Sequence, residues 1–127
     1  MRALVVDDSP PARLHVGRML ADLGFEVYEA GHGGEALKVL TGLGPVELVV
    51  LDWNMPVMDG LEFLKGLRAD RAYDQVLVVM ATGNSDVSSI GTALQAGANE
   101  YVMKPFSREI IAEKLHVLGV YNGANAA

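Results

Sequence analysis

The sequence predicts an α/β protein: five successive βα units, (βα)5, forming a doubly wound open parallel sheet. Short apolar runs alternate with amphipathic segments from one end of the chain to the other. The runs are rich in Val and Leu and bounded by turn-forming residues, as strands are. Those of the first, third and fourth units show little polar alternation, as expected of parallel strands covered on both faces. A closed parallel barrel needs eight such units, so the open sheet is preferred.

The first strand is read at Ala3–Val6. Ser9 then caps a helix with Pro10 at its first position, where no N–H is needed. Val16, Met19, Leu20 and Leu23 follow at helical spacing until Gly24. The second strand, Phe25–Ala30, carries Glu26 and Glu29 among its apolar residues, which suggests a sheet edge. Its helix runs from about Gly33 to Thr41 and presents Ala36, Leu37 and Leu40. Leu48–Leu51 forms the third strand, and Asp59 caps a helix presenting Leu61, Leu64 and Leu67. The fourth strand, Val76–Ala81, precedes a helix from about Ser85 to Ala96 with Val87, Ile90 and Leu94 on its face. Tyr101–Met103 is the last strand, and the helix after Ser107 buries Ile111, Leu115 and Leu118 before Gly119. One domain over residues 1–120 and a short flexible tail over 121–127 are expected.

Composition narrows the functional classes. The chain has 127 residues, long enough to bury roughly two-thirds of its unfolded surface. A net charge of −6 without any basic cluster argues against direct nucleic-acid binding. Cysteine is absent, which excludes disulfides and thiolate metal sites. There is no signal peptide and no apolar run of membrane-spanning length, so a cytoplasmic domain is expected.

In open α/β sheets ligands bind beyond the carboxyl ends of the strands, where strand order reverses. The first strand ends in Asp7 and Asp8, the third in Asp52, the fourth in Thr82 and the fifth in Lys104. In the order 2-1-3-4-5, strands one and three are central neighbours, so three carboxylates meet at the crevice. Two carboxylates about 4 Å apart repel by about 4 kcal/mol at an effective dielectric near 20. A shared proton or a bound cation relieves this. Oxygen-only donors point to a hard cation, Mg²⁺ or the similar Mn²⁺, which keeps several waters and takes a phosphoryl oxygen. Thr82 and Lys104 are suited to the remaining phosphoryl oxygens. Asp52 is thereby placed as a nucleophile.

From Leu4 to about Leu118 the chain resembles the receiver domains of two-component response regulators, most like the CheY-like chemotaxis regulators. The motifs "VVDDS" (Val5–Ser9), "LDWNMPVMDG" (Leu51–Gly60), "ATGN" (Ala81–Asn84) and "QAGANEYVMKPF" (Gln95–Phe106) carry it, in order and on the right elements. The resemblance implies a phosphorylation-dependent switch in a His-Asp phosphorelay. Asp52 would accept a phosphoryl group from a histidine kinase or phosphotransfer protein. Asp8 and Asp52 would ligate Mg²⁺ directly and Asp7 through water, with the Asn54 backbone carbonyl completing the protein ligands. Thr82 and Lys104 would hold the phosphoryl oxygens, Tyr101 would rotate in concert with Thr82, and Lys104–Pro105 would be a cis peptide. The implied partner downstream is an effector protein or an output domain. Beyond self-catalysed phosphoryl acceptance and autodephosphorylation, no enzymatic activity is implied.

Ordinary explanations compete at each position. Asp59–Gly60 needs no more than a helix cap and a turn. Trp53 serves as a half-exposed reporter beside the acceptor. His15, His32 and His116 are too far apart for ligand spacing and default to surface or structural roles. Two rival functions use similar sheets. A flavodoxin-like FMN carrier would want Ser, Thr and Gly donors after the first strand, where Asp7 and Asp8 would repel the phosphate. A metal-dependent phosphohydrolase with an Asp nucleophile would want a second acid two residues on, where Asn54 stands.

Overall fold

The computed structural model describes residues 1–53, 59–83 and 87–121, apart from the side chains of Val87 and Ser88. Its strands are β1 (Arg2–Val6), β2 (Glu26–Ala30), β3 (Leu48–Asp52), β4 (Leu77–Thr82) and β5 (Glu100–Met103). The helices are α1 (Pro10–Asp22), α2 (Gly33–Leu43), α3 (Gly60–Ala69), α4 (Val87–Gln95) and α5 (Arg108–Val117), with a 3-10 turn at Arg71–Tyr73. The strands form one parallel sheet in the order β2-β1-β3-β4-β5, the expected doubly wound (βα)5 arrangement. β2 lies at an edge, as its glutamates suggested.

Alternation along the strands divides the core in two. Leu4, Val6, Val49, Leu51, Val78 and Met80 face one side, where Ala36 and Leu40 of α2, Phe63, Leu64 and Leu67 of α3 and Ala93 of α4 cover them. Ala3, Val5, Leu48, Val50, Val79, Ala81 and Val102 face the other, under Val16, Met19 and Leu20 of α1 and Ile111 and Leu115 of α5. This burial on both sides explains why the central strands lack polar residues.

Local chemistry sets the helix starts. Ser9, Asp59 and Ser107 each accept a backbone N–H of the first turn with the side chain, as N-caps do. At α2 the cap is His32, whose Nδ1 accepts from Glu35 N at 3.2 Å. Three apolar faces differ from the sequence expectation. Leu37 is 37 % exposed and Leu94 42 % exposed, while Phe63 rather than Leu61 enters the core of α3. Leu118, Val120 and Tyr121 pack against the α1–α5 side of the core, so Tyr121 is part of the packed body. Residues 122–127 and Ser85 lie outside the described residues.

Candidate functional site at the carboxyl ends of the strands

Register brings the acidic residues together. Val6 of β1 lies beside Leu51 of β3, so one step further Asp7 comes beside Asp52. The two-residue period of a strand puts Asp7 on the same side as Val5, Asp52 with Val50, and Lys104 with Val102. All three therefore project toward α1 and α5. Thr82, two residues after Met80, belongs to the opposite side, as does Tyr101, which packs against the α2–α4 side of the core. One end of the sheet thus carries an acidic side and a hydroxyl–aromatic side.

At this end of the sheet, one carboxylate oxygen from each of Asp7, Asp8 and Asp52 lies within 4.8 Å of the others. Asp7 and Asp52 are buried and Asp8 is exposed. Asp7 is held through Oδ1 by Ser9 N at 2.9 Å and through Oδ2 by Lys104 Nζ at 2.9 Å. The same ammonium donates to Asp52 Oδ1 at 2.9 Å. Burial pulls the Lys104 pKa down, but the hydrogen bonds to Asp52 and Asp7 and their charges outweigh it, so the pKa stands above its ordinary value. Lys104 is a fixed cation between two buried anions. Its backbone N–H donates to Thr82 O at 2.8 Å, which joins the ends of β4 and β5, and the Lys104–Pro105 bond is cis.

Thr82 is 3 % exposed at the end of β4. Tyr101 sits beside Met80 in the register, half-buried, with Lys114 Nζ 5.1 Å from its ring centroid. Lys114 also reaches Glu100 Oε1 at 3.4 Å, and that oxygen accepts the Tyr101 N–H at 3.1 Å. Asn54 lies outside the described residues. Trp53 is partly buried against the α2–α4 side of the core.

Two further residues matter here: Gly60, expected only to make a turn, and Arg13, which the sequence did not single out. Gly60 N donates to Trp53 O at 2.9 Å, and a β-carbon on Gly60 would overlap the Asp52 carbonyl oxygen. The start of α3 thus presses on the backbone of Asp52, a role beyond the turn expected for Asp59–Gly60. Arg13 of α1 donates from Nη1 to the Asp7 carbonyl at 2.7 Å and from Nε to Glu29 Oε1 at 3.2 Å. Gly60 closes the third-strand motif, whereas the only sequence signal for Arg13 is its nearness to Asp7 and Asp8.

The donor set fits a hard divalent cation. It offers three carboxylates at mutual ligand distance with an ammonium beside them, and the chain has no thiol. His15 is not among these donors; with Met19, Lys104, Pro105 and Phe106 it lines an apolar cavity of about 350 Å³. No helix among the described residues is long and apolar enough to cross a membrane.

Comparison with known proteins agrees with this geometry. The family model of the response regulator receiver domain matches residues 3–116. A chemotaxis protein CheY homolog of Campylobacter jejuni is 43% identical over 129 residues, covering 100% of this chain and 99% of the relative. Chemotaxis protein CheY1 of Helicobacter pylori is 40% identical over 119 residues, covering 93% of this chain and 96% of its own. Among solved structures, chemotaxis protein CheY4 of Vibrio cholerae superposes with a TM-score of 0.84 at 33% identity, covering 91% of this chain and 96% of that one. The chain belongs to the response regulator receiver domains of two-component signalling, and within them to the CheY type.

Proposed function

We propose that this receiver is a phosphorylation-dependent switch whose acceptor is Asp52. The observation that carries the proposal is the single Lys104 ammonium bonded to both Asp7 and Asp52, with Asp8 at ligand distance from them. Such a site holds a nucleophilic carboxylate, a counter-charge for a phosphoryl oxygen and oxygen donors for a cation.

In the proposed reaction an Asp52 carboxylate oxygen attacks the phosphorus of a phosphohistidine on a histidine kinase or phosphotransfer protein. The P–N bond breaks as the P–O bond forms, and the imidazole departs with the bonding pair. Asp8 and Asp52 would hold Mg²⁺ directly and Asp7 through water, with the carbonyl of Asn54 as a further ligand. When bound, Mg²⁺ neutralises charge on the phosphoryl oxygens. Lys104 gives up its bond to Asp52 and takes a phosphoryl oxygen, while Thr82 binds another with its hydroxyl. Asp7 keeps Lys104 oriented through the exchange.

The output we propose is a change at the face of α4, β5 and α5, where an effector protein or output domain docks. Thr82 and Tyr101 share the side of the sheet that α4 covers, which supports a route from the acceptor to that face.

The test is incubation with a small phosphodonor, with and without Mg²⁺. Acid-stable, hydroxylamine-labile phosphate should form only with Mg²⁺ and be lost in Asp52→Asn. Incorporation unaffected by chelator, or retained in that variant, would overturn the proposal.

A further inference from the structure

We infer that Arg13 is a positioning residue for metal binding, acting through the Asp7–Asp8 peptide. The inference rests on the proposed use of the acidic cluster. Asp8 is the exposed member, and no hydrogen bond fixes its carboxylate among the described residues. What the frame of the protein fixes for Asp8 is therefore its backbone, which sets the point from which the side chain reaches the cluster. The peptide joining Asp7 to Asp8 carries the Asp7 carbonyl, and Arg13 Nη1 holds that oxygen at 2.7 Å. On the other side of the residue, Asp7 N donates to Ala30 O at 3.1 Å, continuing the ladder to β2. With both ends of Asp7 pinned, a turn of the Asp7–Asp8 peptide that would carry the Asp8 backbone away from the cluster is resisted.

Arg13 is itself oriented. Its Nε pairs with Glu29 on β2 at 3.2 Å, and the side chain is 20 % exposed. One planar fork thus ties the first turn of α1, the end of β1 and β2 into a rigid frame around Asp8. Groups that hold a metal ligand in place commonly govern affinity without touching the ion.

Charge and positioning predict opposite signs, which makes the idea testable. Arg13 is a cation near an acidic site, so by charge alone Arg13→Ala should tighten Mg²⁺ binding and Arg13→Lys should leave it unchanged. Positioning predicts that both bind Mg²⁺ more weakly, by roughly tenfold for alanine. The measurement is Mg²⁺ titration of the whole chain followed by Trp53 fluorescence and by calorimetry, with thermal unfolding recorded in chelator. If the alanine variant does not fold, Arg13→Lys carries the test. Affinity in the lysine variant equal to or tighter than wild type, whatever its melting temperature, would overturn the inference alone. A wild type that binds no Mg²⁺ would overturn the proposed function, and the inference with it.

Discussion

The Nζ of Lys104 lies 2.9 Å from Oδ1 of Asp52, a residue 52 positions earlier in the chain. Neither group could be at ease there alone. Asp52 is buried beside two other carboxylates, and Lys104 would be pulled toward neutrality by burial. Together they form a site in which the Asp52 carboxylate is held and partly compensated by the ammonium.

The pair predicts a pH dependence of stability. The Lys104 pKa is raised above 10.5 in the folded state. Its contribution is therefore fully present below the unfolded value and is lost as pH rises through the raised folded value. Lys104→Met should shorten the difference in stability between neutral and strongly alkaline solution. Urea unfolding of wild type and variant across that range, compared as a difference to cancel other lysines, checks it. Parallel curves would refute it. The variant should also bind Mg²⁺ more tightly while failing to accept phosphate.

Gly60 predicts a defect in the proposed acceptor, Asp52, without touching its side chain. A β-carbon there meets the Asp52 carbonyl, so Gly60→Ala must displace either α3 or Asp52. Overpacking of this kind costs about 1–3 kcal/mol. Phosphorylation by a small donor should fall further than stability alone explains. Wild-type rates in a folded Gly60→Ala protein would show that α3, not Asp52, absorbs the strain.

What was legible in the sequence follows from locality. The strand ends were visible because an apolar run breaks at Asp7 or Asp52, and that break is local. Lys104 and Thr82 were visible for the same reason. Packing across the chain was not. Leu37 and Leu94 fit a helical stripe, yet Ala36 and Leu40 of α2 and Ala93 of α4 are the residues buried against the sheet. Phe63 rather than Leu61 is buried because Gly60, Phe63, Leu64 and Leu67 lie at i, i+3, i+4 and i+7, one turn-to-turn face of α3. Backbone acceptors have no sequence signature at all, so the partners of Arg13 and Arg68 could not be read.

Arg68 provides a structural control. It donates to the carbonyls of Gly97, Tyr73 and Val76 at 3.0, 3.0 and 2.7 Å, and to Asn99 Oδ1 at 2.9 Å. Asn99 Oδ1 also accepts from Val78 N, so one side chain joins α3 to the starts of β4 and β5. Arg68→Met keeps the stem and deletes the donors, leaving several part-buried acceptors without partners. A loss of about 3 kcal/mol in chemical unfolding is expected. Mg²⁺ affinity should hold, because Arg68 acts at the amino ends of the strands. A variant with unchanged stability would mean that water replaces the guanidinium at no cost.

The last prediction concerns how a phosphoryl group at Asp52 could reach a distant face. Thr82 and Asp52 end neighbouring strands, but alternation sends Thr82 to the side of the sheet where Tyr101 packs. A hydroxyl drawn toward a new phosphoryl oxygen must move toward the acidic side and away from the aromatic one. Tyr101 is poised to answer, because it is only half-buried and its outer contact is the Lys114 ammonium. An exposed cation–π contact is worth about 0.5–1 kcal/mol, too little to lock the ring. A bias of roughly 1.4 kcal/mol suffices to change the ratio of two ring positions tenfold. Thr82→Ala should therefore accept the phosphoryl mimic beryllofluoride at Asp52 yet lose most of the response at β5 and α5. Amide exchange over Gly97–Phe106, with and without the mimic, reads that response directly. A full wild-type change in Thr82→Ala would break the link between hydroxyl and ring, and coupling would have to run through Lys104 and the end of β5 instead.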